Sequence, residues 1–175
     1  MEQVFQDNPH YREYLLLLKR LHEFLARGQG DYDAANVVRD QLDEHLKGLN
    51  EHEYHRAEGL CEDLYTLVED RPPSADARRT PPRSRDEISA ELAVAWGHDW
   101  DRVLELLREA RDSIPLDVVS HARGRCWEAL GDLDTASRFF ARASELRPPY
   151  HEDLSQPFAR FLMRVGLPVE AEPIA

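Results

Sequence analysis

Three histidines, His45, His52 and His55, fall close together in the chain, with Glu44 and Glu53 beside them. Imidazole nitrogens and carboxylates are common ligands of a transition metal. On a helix, His52 and His55, three residues apart, would share a face, with His45 joining them across a turn. The same composition also suits a solvated helix end that holds nothing. "HDWD" at 98–101 sets two carboxylates beside a histidine, but it falls between two apolar-periodic segments, where aspartate serves as an N-cap. Cys61 and Cys126 each fall on an apolar helical face without metal-ligand spacing. They read as small buried hydrophobes in a reducing compartment. The chain has no glycine-rich phosphate loop, no Ser-His-Asp order and no setting for a nucleophilic cysteine. The expectation is a protein with no catalytic residues, no cofactor and no dedicated metal site. A small metal protein or enzyme built on His45, His52 and His55 is the alternative.

The elements that would position these residues are helical throughout. Asn8 and Pro9 open a helix over 9–27 whose stripe is Tyr11, Tyr14, Leu15, Leu18, Leu21 and Leu25. "RGQG" at 27–30 ends it. A second helix starts near Asp31 or Asp33 and buries Ala34, Ala35, Val38, Leu42, Leu46 and Leu49. A third starts at Asn50, with Glu53 completing a capping box. Its stripe is Tyr54, Ala57, Leu60, Cys61, Leu64, Leu67 and Val68. Short connections make these an antiparallel three-helix unit over 1–70.

"RPPSADARRTPPRSR", 71–85, has four prolines, five arginines and no large apolar residue, and is expected to be a linker. Its "RRTPPR" also has the composition of a proline-rich peptide ligand. Helical patterning resumes in 86–96, 101–112, 117–129 and 134–146. A last helix falls within 151–165, and 166–175 reads as a tail.

Charge bounds the partners. The 175 residues carry a net charge of −12, with −9 in 1–70, +4 in 71–85 and −7 in 86–175. Nucleic-acid backbones and anionic membranes would repel such a chain. The pure apolar runs, such as "LLLL" at 15–18, fall far short of a membrane span. "MEQVFQDNPH" lacks the basic-then-apolar order of a signal peptide, so a cytoplasmic location is expected.

The stretch "GRCWEALGDLDTASRFFARASELRPP" has a mechanical logic. Gly124 lets a facing helix approach, Trp127 fills the space one turn later, and Gly131 closes the helix. Asp132 or Asp134 caps the next helix, Ala136, Phe140 and Ala143 line its inner face, and Pro148 stops it. In this order and spacing the residues resemble the tetratricopeptide repeat, a helix–turn–helix unit of about 34 residues. Arg123 stands where that pattern usually has a large apolar residue. Upstream, Gly97, Trp100, Val103, Leu107, Ala110 and Pro115 follow the pattern at a shift of 33 or 34 residues. Downstream, Ala159 and Gly166 mark a first helix without its partner, a common cap on such arrays. "GDYDAA" at 30–35 echoes "GDLDTA" at 131–136. Residues 27–68 also loosely resemble an N-terminal segment of uncharacterised bacterial proteins, through "RDQLD" and "DLYTL", a resemblance that implies no activity.

The fold expected is all-α: the three-helix unit, then, as the resemblance implies, about two tetratricopeptide-like repeats and a capping helix over 86–165. It implies a protein–protein interaction module, an adaptor or assembly factor, with a groove lined by first helices. On 117–129, His121, Arg125 and Glu128 lie away from Gly124 and Trp127. Gln156, Arg160 and then Arg164 take similar places on the last helix. An arginine fork suits a carboxylate, so the expected partner is a protein or peptide with an acidic segment or a free C-terminus. Internal ion pairs with Glu128 and Asp153 are the competing use of these arginines. Self-association into a homodimer is a further alternative.

Overall fold

Asn8 starts the first helix in the way its short amide side chain allows. Its Oδ1 accepts the backbone N–H of His10 at 2.9 Å, and Pro9, with no N–H to leave unsatisfied, takes the first helical position. In the computed structural model, which describes residues 8–68, 84–110 and 114–146, this helix is α1, Pro9–Ala26. Gly28 closes it at φ +68°. The Gly28 N–H donates to Leu25 O and the Gln29 N–H to Phe24 O, which satisfies carbonyls that the last turn leaves open.

Two more helices follow, α2 (Asp33–Leu46) and α3 (Glu51–Val68). The predicted capping box opens α3: Asn50 Oδ1 accepts from the Glu53 N–H, and Glu53 Oε2 accepts from the Asn50 N–H, both at 2.9 Å. Helix α1 packs on both α2 and α3. Tyr11 and Leu18 meet a core of Ala35, Val38 and Leu42 from α2, and Ala57, Leu60 and Leu64 from α3. The predicted stripes were too broad at their margins. Ala34 is exposed, Leu46 and Leu49 are half-buried, and Tyr54 retains 42% of its surface. Ala35, Val38 and Leu42 already fill the arc of α2 that faces inward, and Ala34 falls outside it.

Asn8 does more than cap. Its Nδ2 donates to Gly48 O at 3.0 Å and to Glu53 Oε2 at 2.7 Å. The Glu53 carboxylate is buried, and these bonds to Asn8 and Asn50 offset its removal from water. The start of α1 is thereby fastened to the α2–α3 turn and to the start of α3.

The chain divides into two compact units, Met1–Arg78 and Arg79–Ala175. The second holds α4 (Arg85–Ala95), α5 (Trp100–Glu109), α6 (Leu116–Ala129) and α7 (Leu133–Glu145). Ser84 caps α4 through a full capping box with Glu87, so this helix begins inside the stretch assigned to the linker. Asp99 caps α5, its Oδ1 accepting the Arg102 N–H. Asp132 caps α7 in the same way through the Thr135 N–H. Each helix packs on the next: α4 on α5, α5 on α6, α6 on α7. Ile88, Leu92 and Ala95 face Val103, Leu104, Leu106, Leu107 and Ala110 in a continuous buried layer. Arg102 crosses from α5 to α4, bonding Glu105 at 2.6 Å and Glu91 at 2.7 Å. These carboxylates raise its affinity for its proton further, but the groups are about half exposed and such a bridge stabilises little.

Among the described residues every regular element is an α-helix, so the all-α expectation holds. No described helix is long and apolar enough to cross a membrane. Most of the 71–85 strip, Pro148, and the expected helix within 151–165 lie outside the described residues.

Candidate interaction surface

Helix α6 is buried around most of its circumference. From Asp117 to Trp127 every residue is buried except His121 and Arg125. With 100° per residue, His121, Arg125 and Glu128 lie within an arc of about 60°. The three candidate residues of this helix therefore form its open strip.

The packing of α7 on α6 defines one edge of the strip. A Cβ added at Gly124 would lie 2.5 Å from Phe140 Cε1 and 2.6 Å from Cδ1. The aromatic ring of α7 occupies the space a side chain there would need. The His121 ring packs on the same Phe140, with centroids 5.3 Å apart. Deeper in, Trp127, Phe139, Ala136 and Ala143 are all buried. Arg123, which departs from the repeat pattern, keeps only 1% of its surface. Its guanidinium carbon lies 5.9 Å from the Phe139 ring centroid, in cation–π range.

Arg125 Nη1 donates to Glu128 Oε2 at 2.9 Å, an ion pair with both side chains partly exposed. On α7, Arg138 pairs with Asp134 at 3.3 Å and Arg142 with Glu145 at 3.5 Å. The strip thus presents an internally compensated cation rather than a bare positive field. Gln156, Arg160 and Arg164 lie outside the described residues.

The other constellations resolve separately. His45 Nδ1 lies 3.2 Å from Nδ1 of His10, on α1. His52 and His55 are exposed on α3, where His55 approaches Glu51 at 4.0 Å and Glu58 at 3.8 Å. Among the described residues no group of three or more His, Cys, Asp or Glu side chains converges as a metal site. His45 faces the first turn of α1, so the three clustered histidines do not act as one set. The sequence offered no local signal for His10, since its partner is 35 positions away.

Both cysteines are free thiols. Cys126 is fully buried, whereas half-buried Cys61 has its Sγ 3.7 Å from His22 Nε2. Burial and the nearby Glu62 and Glu58 carboxylates push the Cys61 thiol up to about 11. It therefore stays protonated at neutral pH, although a histidine adjoins it. His22 itself is buried against Tyr65, edge to face at 4.4 Å. The Asp99 of "HDWD" is occupied as the α5 cap.

Compared with protein families, curated proteins and solved structures, the chain gives no significant match.

Proposed function

We propose that the chain is a non-catalytic protein–protein interaction module, an adaptor or assembly factor of tetratricopeptide-like architecture. It seats an acidic segment or free C-terminus of a partner on the His121, Arg125 and Glu128 strip. The observation that carries this reading is the burial of α6 on the rest of its circumference. What this helix offers to solvent is one line of hydrogen-bonding side chains, a recognition surface on a rigid element.

The likeness of the two helical hairpins supports the repeat architecture. Gly97 and Gly131 take φ +80° and +85° in the turns, and Asp99 and Asp132 cap the second helices. Val103, Leu107 and Ala110 correspond to Ala136, Phe140 and Ala143 at a shift of 33 residues. Gln156 and Arg160 join the proposed surface on the sequence pattern alone.

A partner carboxylate would compete with Glu128 for Arg125, and this supplies the test. Charge-assisted contacts contribute about 1.5–3 kcal/mol each, so replacing Arg125 and Arg160 together by alanine should weaken affinity by at least about tenfold. Glu128→Gln, which removes the competitor, should strengthen binding. Both effects are read by quantitative affinity capture from native extract, with circular dichroism showing unchanged helicity. Normal capture by the double variant would move the surface elsewhere.

A further inference from the structure

We propose that His10 and His45 form a surface site for one divalent transition-metal ion, zinc in the first instance. The two Nδ1 atoms hold the ion and water fills the remaining positions. The rings come from separate helices, the first turn of α1 and the last turn of α2. They meet edge to edge through Nδ1, with centroids 5.4 Å apart and planes 54° apart. The nitrogens are 3.2 Å apart. Two zinc–nitrogen bonds of about 2.0–2.1 Å, opened to an angle of about 100°, span this separation. The same distance lets two imidazoles share one proton, with one of them donating. A modest rotation of the rings converts that head-on pair into two lone pairs aimed at one point.

The position of the His10 ring is built into the fold. A Cβ at Gly48 would collide with His10 Cγ, so the ring rests where only glycine leaves room. Asn8, two residues before His10, is fastened to Gly48 O and to Glu53. The backbone that carries His10 is thus anchored before any ion arrives, and less ordering entropy is lost on binding. His10 is exposed and His45 half-buried, so an ion and its waters can reach both. Imidazole suits zinc, copper and nickel among the divalent metals.

The test uses the full chain, stripped of metal by a chelator and then titrated with zinc in a calorimeter. The expected result is one ion per chain and a rise in melting temperature, because the ion ties α1 to α2 only in the folded state. His10→Gln and His45→Gln should each weaken binding by at least about tenfold, as loss of a direct ligand exceeds loss of an outer-shell partner. His52→Gln combined with His55→Gln should leave it unchanged. Absence of zinc binding, binding that survives both single substitutions, or binding lost with His52 and His55 would each overturn the proposal. If a glutamine variant loses helicity, imidazole nitrogen resonances of the unaltered chain decide. Zinc-induced shifts confined to Nδ1 of His10 and His45 support the site, and any other pattern overturns it.

Discussion

At the scale of single residues, a methyl group is enough to probe the α6–α7 crossing. With Phe140 already in the way at 2.5 Å, Gly124→Ala forces the ring to move, and Gly124→Leu forces the helices apart. Overpacking of this kind costs about 1–3 kcal/mol. Gln29→Leu, in the α1–α2 turn, should cost several times less. Thermal melts followed by circular dichroism measure both. Combining Gly124→Ala with Phe140→Leu should recover part of the loss, because the loss comes from a specific collision. The role of Gly124 was legible because a small residue near a tryptophan implies a close approach. The depth of Arg123 was not, since a charge in the sequence normally signals solvent and only the Phe139 ring shows otherwise.

The helices owe their boundaries to caps of unequal consequence. Asp99 makes a single capping bond, accepting the Arg102 N–H. Asn8 makes its own and two more, to Gly48 and Glu53, which join separate elements. Losing an N-cap costs about 1 kcal/mol, so Asp99→Ala should lower unfolding free energy by roughly that amount. Asn8→Ala should lower it by about two to three times as much, because it also leaves the buried Glu53 short of a donor. Urea unfolding gives both values. The caps at Asn8, Asn50 and Asp132 could be read in advance, since each is a local pattern of cap residue and following helix. The cap at Ser84 is hidden in the sequence by the prolines and arginines before it, although Ser84 and Glu87 have capping-box spacing. The tertiary bonds of Asn8 and the pairing of His10 with His45 depend on chain reversal, which no local spacing encodes. Of the candidate surface, the side of α6 that carries it followed from helical periodicity, whereas the pairing of Arg125 with Glu128 was one of two open uses for that arginine.

For the whole molecule, the division into Met1–Arg78 and Arg79–Ala175 makes a direct prediction. Each half, expressed alone, should be helical and melt cooperatively, because each carries its own buried layer. A half that remains unfolded in circular dichroism would show that its core needs the other. Within the second unit, the turns carry a lesson about counting. The turn glycines, Gly97 and Gly131, are 34 positions apart, but the capping aspartates, Asp99 and Asp132, are 33 apart. His98 is the added residue, and the α4–α5 turn absorbs it without disturbing the inner faces that follow. The ruler of this unit is therefore its aspartates. Anyone joining one hairpin to another within α5 or α7 should therefore align the two by their caps; aligned by their glycines, the pieces would meet one residue out, which turns the rest of that helix by about 100° and carries its apolar face away from the core.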